Sequence, residues 1–108
     1  MDTACVKVRL RPGSLERVRE WVRELQARSD EVLATLRDEG VLVESVFLDS
    51  DEHGDFLVYY MKARNLAAAS ETARRSAHPI DRYHQQFKVD TWEDQTPLEL
   101  LIDFENLT

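Results

Sequence analysis

Two neighbouring stretches of this chain are apolar on both of their faces, and that most constrains the fold. In Val41 to Asp49, Val43 and Phe47 interleave with Leu42, Val46 and Leu48. In Phe56 to Ala63, Phe56, Val58 and Tyr60 interleave with Leu57, Tyr59 and Met61. Asp51-Glu52-His53-Gly54 between them reads as a turn, so the pair forms a hairpin. A hairpin with one wet face alternates apolar with polar residues. This one does not, so both faces of its sheet need cover.

The rest of the chain supplies one cover. Ala4 to Arg11 alternates Val6, Val8 and Leu10 with Cys5, Lys7 and Arg9, the period of a strand. Pro12-Gly13-Ser14 ends it, with Ser14 placed as a helix N-cap. From Leu15 to Glu39 an apolar stripe runs through Leu15, Val18, Val22, Leu25, Val32 and Leu36, with Ser29 in one slot. It predicts one helix ~37 Å long at the α-helical rise. Gly40 follows as a left-handed cap. Asn65 caps a second helix, Leu66 to Ala77, and Pro79 opens a new turn carrying Ile80, Tyr83, His84 and Phe87. Val89 to Pro97 reads as a loop. Leu98 to Glu105, with Leu98, Leu100, Ile102 and Phe104 on one face, reads as the last strand. The order β-α-β-β-α-β predicts an α+β, ferredoxin-like antiparallel sheet, with its first and third strands central and helices on one face. Residues 1–108 are expected to form a single domain. The helix-free face then calls for a second copy of the chain, a homodimer.

Composition excludes several classes. The chain has 108 residues, 43% hydrophobic and 32% charged, a globular balance. No apolar run reaches the ~20 residues of a membrane span, and the first residues lack the pattern of a signal peptide. The single cysteine, Cys5, fits a reducing cytoplasm. The net charge is −7, carried wholly by residues 41–108, with thirteen acids against six bases. No nucleic-acid or membrane partner is expected.

At this point the chain resembles a family. The element order, the length and the doubly apolar strands are similar to the dimeric α/β-barrel superfamily. That superfamily includes antibiotic-biosynthesis-type monooxygenases, muconolactone-isomerase-like enzymes and haem-degrading proteins. Val8-Arg9-Leu10-Arg11-Pro12-Gly13-Ser14, Glu44-Ser45-Val46-Phe47-Leu48 and His78-Pro79-Ile80-Asp81-Arg82-Tyr83-His84 resemble, more narrowly, an uncharacterised prokaryotic family within it. The resemblance implies the fold and leaves the chemistry open.

The segment His78 to His84 gathers two imidazoles, a phenol and an arginine around a proline break, with Trp92 downstream. His84, His78 and Tyr83 are the candidate catalytic residues, because imidazoles transfer protons near neutral pH. Arg9, on a central strand, is a candidate anion site, with Tyr60, Trp92 and Glu44 as further ligand-binding candidates. A cavity at one end of the sheet is expected, bordered by His84, Tyr83 and Trp92 with Arg9 in reach. Asp49, Asp51 and His53 lack the closing glutamate of a calcium loop, and Cys5 has no zinc spacing, so no metal is expected. No cofactor motif is present. Two readings follow: a cofactor-independent or monooxygenase-like enzyme acting on a small organic molecule between sheet and helices, or a non-catalytic homodimeric module that binds a ligand or a protein.

Overall fold

The computed structural model describes residues 1–106. Its elements are β1 (Asp2–Leu10), α1 (Leu15–Ala27), α2 (Ser29–Glu39), β2 (Val41–Asp51), β3 (Gly54–Ala63), α3 (Leu66–Arg75), α4 (Pro79–Thr91) and β4 (Trp92–Pro97). The strands form one antiparallel sheet in the order β2-β3-β1-β4. β1 and β3 are therefore central, as the ferredoxin-like order requires. Val8 pairs with Leu57 across them, and both are fully buried under the helices.

The long first helix of the sequence is two helices. The chain leaves helical geometry at Arg28 (φ −116°, ψ 33°), whose N–H is shared between the carbonyls of Glu24 and Leu25. The break falls beside Ser29, the polar slot in the apolar stripe. Breaking there lets each half turn its stripe to its own core. Val18 and Trp21 of α1 join Val8, Leu10, Leu57 and Phe87, whereas Leu36 of α2 packs on Val41, Ala63 and Ala69. Ser14 does not cap α1; its backbone is helical and its hydroxyl donates to the Arg11 carbonyl at 2.7 Å. Asn65 does cap α3, accepting from the Ala68 N–H at 2.9 Å. Pro79 stands at the first position of α4, where its missing N–H costs nothing.

The C-terminal strand is displaced from its expected place. Trp92–Pro97, expected as a loop, is the edge strand β4 and pairs with β1. Residues 98–106 are irregular, although Leu98 N–H still donates to the Cys5 carbonyl at 2.8 Å. Backbone pairing to β1 outweighs the poor strand propensity of Glu93, Asp94 and Gln95. The strand-like alternation of Leu98, Leu100, Ile102 and Phe104 has no partner strand among the described residues.

Gly40 caps α2 in the left-handed region at φ +71°. A Cβ there would meet only the Arg64 side chain, at 3.8 Å, so the cost of a substitution is backbone strain. Gly40→Ala is expected to lose about 1 kcal/mol of unfolding free energy in urea denaturation. An unchanged midpoint would show that the cap contributes nothing.

Candidate functional site

Alternation divides the expected site residues between the two faces of the sheet. On the helix-covered face lie Glu44 and Val46 of β2, paired with Met61 and Tyr59 of β3. On the open face lie Cys5, Lys7 and Arg9 of β1, opposite Tyr60, Val58 and Phe56. Arg9 and Tyr60 are therefore separated by the sheet from His84, and Arg9 is not in reach of it. Arg9 Nη1 donates to the His53 carbonyl at 2.9 Å, and its guanidinium lies 4.6 Å from the Phe56 ring, with Lys7 at 4.4 Å. Gly54, at φ +132°, makes room for it: a Cβ would stand 3.4 Å from Arg9 Nη1. Arg9 thus ties the hairpin tip to β1. Lys7 pairs with Asp49 at 3.4 Å, and Asp103 accepts from Lys62 and Thr3. Glu44 takes part in none of these pairs.

His78 and Tyr83 also lie apart from His84. His78 Nε2 meets Asp38 Oδ2 at 2.8 Å, joining the start of α4 to the end of α2. Tyr83 accepts a hydrogen bond from Arg17 Nη1 at 3.1 Å, in the seam between α1 and α4. Neither ring contacts the imidazole of His84.

What the fold does bring together is an aromatic cluster under α4. Trp21 stacks on Phe87 with centroids 4.3 Å apart and planes within 6°. His84 stacks on the same indole at 5.6 Å. Trp21 Nε1–H donates to His84 Nδ1 at 3.2 Å. Because Nδ1 accepts, the neutral ring carries its proton on Nε2. Tyr59 packs against both Trp21 and His84 at 6.4 Å and against Trp92 at 5.4 Å. The Lys88 ammonium lies 4.8 Å from the Trp92 ring.

Two polar atoms of this cluster, Tyr59 Oη and Trp92 Nε1, are buried without a well-formed hydrogen bond. Such atoms are uncommon, and each costs about 1–3 kcal/mol. Burial pushes the Tyr59 phenol above its ordinary pKa, with the nearby Trp92 indole opposing, so it stays protonated. Desolvation by the surrounding protein also raises Glu44, with Lys88 pulling the other way, although its side chain is exposed to solvent and the rise is correspondingly small. Lys88 is lowered by burial, against the attraction of Glu44, Asp81 and Glu39. Tyr59, Trp21 and Lys88 were not singled out in the sequence. Lys88 stands one turn after His84, but nothing in the strand pattern says which of Tyr59 and Tyr60 faces the helices.

Two hollows open on the helix layer, and neither is lined by His84, Tyr83 or Trp92. One, of about 400 Å³, is lined by Thr35, Asp38, Glu39, His78 and Asp81, among others. Glu39 there is pushed up to about 7 by burial and by Asp81, Glu44 and Asp38. The other, of about 640 Å³, lies between α3 and α4. Among the described residues no group of three His, Cys, Asp or Glu side chains is placed to hold a metal ion. No described helix is long and apolar enough to cross a membrane.

The β-α-β-β-α-β order, the antiparallel sheet and the helices on one face define a protein of the ferredoxin-like α+β fold. The chain belongs to a family of unknown function, DUF6176, which it matches over residues 1–108. No curated protein matches it. Among solved structures it is similar to an L-rhamnose mutarotase from Formosa agariphila. Identity is 20% and the TM-score 0.66, over 97% of this chain and 100% of that one. It is also similar to an antibiotic biosynthesis monooxygenase, at 20% identity and TM-score 0.58, over 96% and 98% of the two chains. A protein of Agrobacterium tumefaciens matches at 18% identity and TM-score 0.60, over 91% and 89%. At these identities the likeness is one of fold.

Burial, followed by repulsion from Lys88, lowers the His84 pKa from 6.5 to about 4. Unfolded chains bind the proton first as pH falls, so this group withdraws stability between pH 6.5 and 4, on the order of 3 kcal/mol in all. The raised Glu39 acts oppositely, its contribution being lost as pH rises from 4.5 through 7. The imidazole resonance separates the two. In an NMR titration His84 is expected to stay neutral down to about pH 4. A midpoint above 6 would show that the ring is not desolvated.

Proposed function

We propose that this protein is a cofactor-independent enzyme acting on a small organic molecule in a cleft between β2, β3 and α4 that opens when Lys88 leaves the Trp92 ring. The observation that carries the reading is the pair of buried polar atoms, Tyr59 Oη and Trp92 Nε1, close to each other but in no well-formed hydrogen bond, beside a neutral His84 whose proton is on Nε2. Three neutral donors in one cluster suit an oxygen on which negative charge develops. Lys88 lies over the Trp92 ring, so its flexible side chain has to swing aside for a ligand to reach the buried donors. Glu44, a carboxylate on the helix side of β2 that no ion pair engages among the described residues, is the group to take a proton from a carbon next to a carbonyl. That C–H bond breaks, its electrons form a carbon–carbon double bond, and the carbonyl oxygen takes up the charge. Return of the proton from Glu44 to carbon completes an isomerisation or exchange with no redox change. The similar fold of a sugar mutarotase and a monooxygenase is compatible with a site for small organic molecules here. Cys5 is unpaired and half-buried, which suits a reducing cytoplasm.

The enzyme works as a homodimer in this reading. On the open face Phe47 is 61% exposed and Val43 43%, and beside it Leu101, Ile102 and Phe104 project from the C-terminal segment. A patch of this kind on a soluble chain marks an association surface. Light scattering at micromolar concentration is expected to give about twice 12.6 kDa, and Phe47→Asp to shift it toward the monomer. A wild-type monomer would remove the dimer from the proposal.

Tyr59→Phe tests the site itself. Because the hydroxyl makes no well-formed hydrogen bond, its removal is expected to leave stability within about 1 kcal/mol of the wild type. The same change is expected to slow deuterium uptake from heavy water into a panel of small ketones and keto acids at least tenfold. Uptake no faster with wild-type protein than in buffer would favour the binding module over the enzyme.

A further inference from the structure

We infer that the groove between α3 and α4 binds the anionic end of the ligand, so that the molecule taken by this protein is a small organic acid. This rests on the reading of the aromatic cleft as a ligand site, because Lys88 belongs to both. The groove holds about 640 Å³, within the usual range of small-molecule sites, and is lined by Arg74, Arg82, Lys88, Gln85, Ala73 and Val89, among others.

Its charge runs against that of the chain. The whole protein carries −7, yet the lining holds three bases and a single acid, Asp81. Asp81 is engaged by the Ser76 hydroxyl, and Arg74 is paired with Glu71. Arg82 and Lys88 are left: among the described residues neither has a carboxylate within ion-pair distance. Lys88 is half-buried, and a half-buried ammonium without a close counter-ion is an unbalanced charge. Burial accordingly lowers its pKa, and the distant Glu44, Asp81 and Glu39 offset this only in part. An incoming carboxylate or phosphate would complete the pair.

The layout gives such a ligand a direction. Arg82, Gln85 and Lys88 follow one another along α4, from the open groove to the edge of the Trp92 ring. An acid held between Arg82 and Lys88 would have its uncharged body at the Trp92 ring once Lys88 turns from that ring to the acid. The sequence offered Arg9 as a candidate anion site. Arg9 is engaged with the hairpin tip on the other face, and Arg82 and Lys88 stand on the side where the donors are.

The test compares phenylpyruvate with its methyl ester, which differ in the charge. Backbone amide shifts of Arg82 and Gln85 read the groove, and the Trp92 indole N–H reads the cleft. Phenylpyruvate is expected to move all three and to bind about tenfold tighter than the ester, with affinity falling as salt is added. Arg82 is exposed, so Arg82→Gln should keep the circular dichroism of the wild type while losing about tenfold in affinity for the acid. Equal binding of acid and ester, with the indole shifted and Arg82 still, would overturn the anion site and leave the cleft reading standing. Acid-specific shifts at Arg82 with a silent indole would support the anion site and overturn the cleft reading. Shifts with neither compound would overturn both.

Discussion

The indole of Trp21 is the contact on which the helix layer depends. One face of the ring system stacks on Phe87 at 4.3 Å, which presses α1 onto α4 above the buried Val8 and Leu57. Its N–H, which would otherwise be a buried donor in need of a partner, goes to His84 Nδ1. One side chain therefore sets both the packing of the two helices and the tautomer of the histidine between them. The break at Arg28 follows from the same demand. A straight helix could not keep Trp21 over Phe87 and Leu36 over Ala63 at once, since the two cores lie under different parts of the sheet.

The two faces of the sheet meet their charges in different ways. On the open face Lys7 and Arg9 lie over Phe56 and find close partners in Asp49 and the His53 carbonyl. There the cations serve to shield an aromatic ring and tie a hairpin. On the helix face Lys88 and His84 are crowded by protein without direct ion pairs, and burial is the leading cause of the shift in each, while Glu44 at the sheet edge stays exposed. Groups held in that condition respond strongly to whatever enters beside them, which is why the proposed site is there.

Much of the fold was legible in the sequence because it rests on periodicities that do not need the other elements. The period of two in β1, β2 and β3, the asparagine before α3, the proline at the start of α4 and the glycine after α2 each act locally. The misreadings share a cause. Ser29, read as a tolerated gap in one helix, marks a change of partner. Trp92–Pro97, polar enough to read as loop, is a strand because β1 offers a free edge, and the apolar segment after it pairs with no strand among the described residues.

The site was legible only in part. His84, Trp92 and Glu44 could be named from residue type, since imidazole, indole and carboxylate carry chemistry wherever they sit. Which of them meet was decided by the tertiary structure. Val8 and Arg9, or Tyr59 and Tyr60, are adjacent in the chain and on opposite sides of the sheet, and strand parity alone does not say which side the helices cover. The sequence by itself determined the elements, their order and the need to cover two apolar faces, because those follow from local sterics and hydrophobic pattern. Tertiary structure alone decided that Arg9 would brace a hairpin, that Lys88 would stand over Trp92, and that Tyr59 would be buried beside His84, because those outcomes depend on which face α1 and α4 pack against.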